Sequence, residues 1–160
     1  EINRANISSV FGELMYLLEY RGNPASLAGG DSFSIPENLI LIGTMNTADR
    51  SIALVDYALR RRFAFIELLP NYDLLTRYHE KIGSDFQVDK LIDVLKKLNQ
   101  TIGDKNYEIG VSFFMDENLK SNFDDIWTYE IEPYIEEYFF GQPQKINGFR
   151  LEKVLEELNK

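Results

Sequence analysis

Asn38–Leu69, NLILIGTMNTADRSIALVDYALRRRFAFIELL, is the stretch from which the rest of the chain can be read. Leu39 to Met45 is a nearly unbroken apolar run of strand length, which suits a strand buried on both faces of a parallel sheet. Asn46, Thr47, Asp49 and Arg50 follow just past its carboxyl end, the edge at which open α/β sheets collect ligands. The pattern then predicts a short helix from about Ile52 to Arg61, capped by Asp49 or Ser51, with Asp56 and Arg60 in the favourable acid-first i,i+4 order. Arg60, Arg61 and Arg62 lead into Phe63–Leu68, a second β-like run.

A polar amide held at a strand end can orient a water or a phosphate, because the sheet fixes its position. Arginines leaving a helix at about 100° intervals cannot all be satisfied by one carboxylate of that helix. Residue type alone leaves two readings for Arg60–Arg62: a solvated basic corner paired with Asp56, or cations presented to a partner.

The remaining composition narrows the class. A chain of 160 residues, 44% apolar and 27% charged, is long enough to bury a globular core. The balance of 17 basic against 26 acidic side chains gives −9, which disfavours a nucleic-acid surface, since phosphate binding depends on lysine and arginine. The absence of cysteine excludes disulfides and thiolate metal sites and fits a reducing, cytoplasmic setting. No apolar run approaches 18 residues and no signal peptide is visible, so no membrane partner is expected.

Two strings are unusual enough to carry a resemblance. MNTADRSIALVDYALRRRF (Met45–Phe63) resembles the sensor 1 to arginine-finger segment of the McrB family, the AAA+ GTPase subunit of the methylcytosine-dependent restriction system. EINRANISSVFGELMYLLE (Glu1–Glu19) resembles the segment of that family that begins at the catalytic glutamate of the Walker B motif. A looser likeness continues through YEIGVSFFM (Tyr107–Met115) and EPYIEEYFF (Glu132–Phe140). The implied fold is α/β plus all-α: the C-terminal part of an AAA+ P-loop NTPase core over residues 1–70, followed by a helical lid subdomain over 71–160.

The resemblance also implies roles. Glu1 would polarise the attacking water, and Asn46 would be the sensor 1 contact to the γ-phosphate or that water. Asn46–Asp49 also matches the N-x-x-D element that reads guanine in Ras-like GTPases, but its placement after a strand favours sensor 1. Arg61 and Arg62 would be fingers lent to a neighbouring subunit, with Arg60 structural and Asp49 and Asp56 near the nucleotide or the same interface. Gly110 and Ser112 match the lid pattern, whereas Val111 stands where the family tends to carry histidine. No G-x-x-x-x-G-K followed by Ser or Thr occurs, so the phosphate-cradling loop lies outside this sequence and the chain is expected to be inactive alone. GTP and Mg²⁺ are the implied cofactors of the parent protein. Its implied partners are its own copies in a ring, with six as the implied number, an McrC-type nuclease subunit, and DNA held by an N-terminal domain. A related AAA+ ATPase that remodels proteins and a non-hydrolysing acidic scaffold remain as alternatives.

Elsewhere the pattern predicts one amphipathic helix within Glu1–Glu19 and a loop over Arg21–Pro36, the latter a candidate for contact with a partner in a ring's pore. After Pro70 the chain reads as helical. Gly83 and Gly103 end helices, His79 is placed at the surface, Ser112 caps a turn, and Pro133 kinks or restarts a helix. Tyr138, Phe139 and Phe140 are assigned to the lid core, and Leu151–Leu158 forms a final amphipathic helix. Strand edges left open by a partial sheet predict self-association of the isolated chain.

Overall fold

The computed structural model describes residues 1–4, 7–12, 14–27, 29–46 and 60–160. The chain divides into two compact units, Glu1–Glu67 and Leu68–Lys160. Among the described residues, no helix is long and apolar enough to cross a membrane.

In the first unit a single 3₁₀ turn, Ile2–Arg4, precedes α1 (Ile7–Phe11) and α2 (Leu14–Glu19). The single helix expected here is broken at Gly12, whose φ of +43° departs from helical geometry. Leu17 of α2 is fully buried. The stretch expected to be a plain loop contains an antiparallel ribbon of β1 (Ala25–Ser26) and β2 (Ser32–Phe33), with Ala25 opposite Phe33. Its tip closes through Leu27 N–H donating to the Asp31 carbonyl (2.8 Å), and its base through Gly22 N–H donating to Ile35 (3.1 Å). Gly22 and Gly30 occupy positive φ, and these turns let so polar a sequence fold back on itself.

Leu39–Met45 carries no ladder among the described residues, so the strand expected to be covered on both faces is a correction. Ile40 and Ile42 are 80% and 89% exposed, whereas Leu39 and Leu41 are about half as exposed, an alternation that marks extended chain. Phe65, Ile66 and Leu68 in the second β-like run are likewise exposed. A strand of a parallel sheet takes its hydrogen bonds and its cover from neighbours, and among the described residues no strand pairs in a ladder with either of these two runs. The helix predicted from Ile52 lies almost wholly outside the described residues.

The second unit is helical and well packed. Asn71 caps α3 (Tyr72–Ile82) by accepting from Leu74 N–H (3.1 Å), and Gly83 in the left-handed region closes it, with Ser84 N–H on the His79 carbonyl (3.0 Å). In α4 (Val88–Ile102) the stripe Leu91, Leu95, Leu98 and Ile102 is buried. It packs with Phe114, Phe123 and Trp127, whose rings lie 5.6–6.2 Å apart between centroids. α5 (Leu119–Ile126) runs into a π turn, Trp127–Ile131, and then α6 (Glu132–Tyr138). Pro133 explains that change: its ring cannot fit against a regular helical turn, and Glu132 N–H reaches back five residues to the Trp127 carbonyl instead.

Glu132 then ties in α7 (Leu151–Leu158), accepting from Leu151 N–H (2.6 Å) and from Arg150 (2.8 Å). These contacts and Glu136 hold the Arg150 guanidinium above its ordinary pKa. Two placements differ from expectation. His79 is 2% exposed, and its Nε2 donates to the Phe114 carbonyl (2.8 Å), because its helix face meets the Val111–Phe114 turn. Phe140 is 91% exposed, since α6 ends before it, while Phe139 is buried.

Asn99 is the buried polar hinge of this unit. Its Nδ2 donates to the Ile109 carbonyl and to Tyr72 Oη (both 3.0 Å), while its Oδ1 accepts from Ile109 N–H (2.7 Å). Asn99→Ala should orphan both Ile109 backbone groups, at about 1–3 kcal/mol per group. The urea midpoint of the lid should fall accordingly, and an unchanged midpoint would show that the amide does not hold this connection.

Candidate functional site

The first unit brings the chain start against the polar end of the Leu39–Met45 run. Ile2 N–H donates to the Thr44 carbonyl (2.9 Å), and a Cβ at Gly43 would come within 2.9 Å of the Ile2 side chain, so the close approach requires glycine. Glu1 and Asn46, one residue before and two residues after the bonded pair, therefore flank one junction and are both exposed. The Glu1 carboxylate is ion-paired with Arg4 one turn on. A carboxylate and an amide on a fixed edge can hold a water between them, the chemistry expected of an in-line hydrolysis site.

The arginines separate. Arg60 and Arg61 are exposed, whereas Arg62 is only partly accessible and its Nη2 donates to Glu19 Oε2 at 2.5 Å. Sequence reading did not find Glu19: it lies 43 residues away, at the end of α2, beyond any local spacing rule. Asp49 and Asp56 lie outside the described residues. Among the described residues, no group of three or more histidine and acidic side chains is placed to hold a metal ion.

Gly110 and Ser112 belong to the second unit. Gly110 is extended (φ −75°, ψ 158°) and precedes the 3₁₀ turn Val111–Phe114. Ser112 sits inside that turn and makes no cap; the capping position is Gly110, which has no side chain to donate or accept. Val111 is buried against the lid core, so it offers no polar contact where the family pattern has an imidazole. Asn99 fixes this connection through Ile109, and Tyr134 Oη donates to the Tyr107 carbonyl (2.8 Å) just before it. An open hollow of about 450 Å³ lies beside Tyr72, lined also by Pro70, Asn71, Asp73 and Lys96, with the Lys96 ammonium 5.6 Å from the Tyr72 ring centre. Burial raises the Tyr72 phenol above its ordinary pKa.

Comparison with known families supports both halves. Residues 1–63 match the AAA domain (dynein-related subfamily), and residues 90–147 match the McrB alpha-helical lid domain. The chain is 41% identical, over 91% of its length, to the type IV methyl-directed restriction enzyme EcoKMcrB subunit of Escherichia coli (strain K12). It is 32% identical, over 52% of its length, to the type II restriction enzyme BsuMI component YdiS of Bacillus subtilis (strain 168). It spans 37% of the first relative and 28% of the second. An AAA segment followed by a helical lid defines the class as AAA+. Within that class the chain belongs to the McrB family.

Proposed function

We propose that this chain is the C-terminal part of the AAA+ core, residues 1–70, with its lid, residues 71–160, from a GTP-hydrolysing motor that powers a modification-dependent DNA restriction complex. Family membership supports the motor, and both relatives are named as restriction enzyme components. The observation that carries the site is the Ile2–Thr44 hydrogen bond, which sets Glu1 and Asn46 on one edge.

In this reading Glu1 takes a proton from the attacking water, and the Asn46 amide holds that water or the γ-phosphate in line. Guanidinium groups of Arg61 and Arg62, with Arg60 structural, complete the site of the next subunit, which requires a head-to-tail ring, proposed as a hexamer. By the family match, Asp49 and Asp56 are assigned to the nucleotide or that interface, and Gly110 and Ser112 to nucleotide binding by the lid. GTP with Mg²⁺ is the proposed cofactor, an McrC-type subunit the nuclease, and modified DNA the target of a separate N-terminal domain.

Competition of GTP and ATP for the full-length protein tests the nucleotide: GTP should win, and preference for ATP would favour the protein-remodelling alternative. In the same protein, Asn46→Ala should lower kcat by about 10²-fold with GTP affinity nearly kept. Equal loss of GTP affinity would instead assign Asn46 to guanine recognition.

A further inference from the structure

We infer that the two arginines at the corner have different tasks: Arg61 reaches the neighbouring site, while Arg62 is a positioning residue clamped by Glu19. The inference rests on the finger reading above and divides it. Arg62 Nη2 meets Glu19 Oε2 at 2.5 Å, and the Arg62 side chain is 20% exposed. Its charge is already compensated by a carboxylate of its own chain. Reaching a phosphoryl group would first break a charge-assisted bond, the stronger class of hydrogen bond in proteins. Arg61, the preceding residue, is exposed.

The clamp joins distant parts of the unit. Glu19 is the last residue of α2, a helix anchored by the fully buried Leu17, and Arg62 follows the finger in sequence. Tying Arg62 to α2 restricts the backbone from which Arg61 projects. A finger must hold its position to within about 1 Å, so loss of such a tether costs up to about 10²-fold in rate without removing any group that touches substrate.

Kinetics of the full-length protein with GTP test this. Glu19→Ala, Arg62→Ala and the double variant should each lower kcat by about 10- to 100-fold, with KM nearly unchanged and the double no worse than either single. Arg61→Ala should cost at least about 10³-fold. Glu19→Gln, which keeps the size of the side chain and removes its charge, should follow Glu19→Ala and guards against a simple packing defect. Rings mixed from Glu19→Ala and Glu1→Gln subunits should regain turnover, because the second supplies well-held fingers to the first; a general folding defect would not be repaired this way.

Loss in Arg62→Ala as deep as in Arg61→Ala, with Glu19→Ala near wild type, would overturn the clamp and leave both arginines as fingers. Failure of the mixed rings to recover would also overturn it. Full turnover in both arginine variants would defeat the finger reading itself, a result distinguishable from either of those.

Discussion

Arg61→Ala should reduce GTP turnover by the assembled protein by about 10³- to 10⁵-fold while leaving GTP binding within a few-fold of wild type. The reason is when the charge is needed. Hydrolysis spreads negative charge over the transferred phosphoryl oxygens, and a guanidinium delivered from outside stabilises that charge more than it stabilises the bound ground state. Arg61 is exposed. The check is steady-state hydrolysis alongside equilibrium GTP binding on the same preparation. A weaker binding constant with unchanged kcat would place Arg61 in nucleotide binding instead.

Glu1→Gln should have the second largest effect. The substitution keeps the size of the side chain and removes its charge, and with it the capacity to accept a proton, so a loss of about 10² to 10⁴ in kcat is expected. Arg4 pairs with Glu1 in the present structure, so this carboxylate is held within the opening turn. Single-turnover hydrolysis should slow by the same factor as steady-state turnover, because the chemical step is the one affected. Unaltered single-turnover rates would remove Glu1 from the reaction.

The sequence was most legible where local rules decide the outcome. Gly83 and Gly103, each after an apolar period, marked helix ends through positive φ, and both helices end there; the first begins at Tyr72, two residues before the expected Leu74, because Asn71 caps it. Pro133 announced a break because a missing N–H acts on its own turn, although the π geometry that absorbs it needed the structure. Other features depended on contacts made at a distance. In Arg21–Pro36 the alternation of polar and apolar residues is confined to Ser32–Ile35, too short to mark a strand on its own, and the ribbon is closed by turn glycines and backbone bonds. His79 reads as a surface residue by type, yet it is buried, with its Nε2 on the Phe114 carbonyl 35 residues away.

The candidate site divided in the same manner. Asn46 could be placed because it follows an apolar run, and its nearness to Glu1 followed once Ile2 was seen to bond Thr44. The unequal burial of Arg61 and Arg62 was invisible in a run of identical residues; only the partner of Arg62 tells them apart. Ser112 looked like a cap by type, but the turn begins two residues too early for it to act as one.

The account depends on catalysis being divided between neighbouring subunits. The most direct test is GTP turnover by equal mixtures of Arg61→Ala and Glu1→Gln full-length protein. Each variant alone should be nearly inactive. In a randomly mixed ring, one site in about four combines an intact Glu1 with an intact neighbouring Arg61, so the mixture should recover about a quarter of wild-type turnover. A mixture no more active than the mean of its two inactive components would contradict shared catalysis.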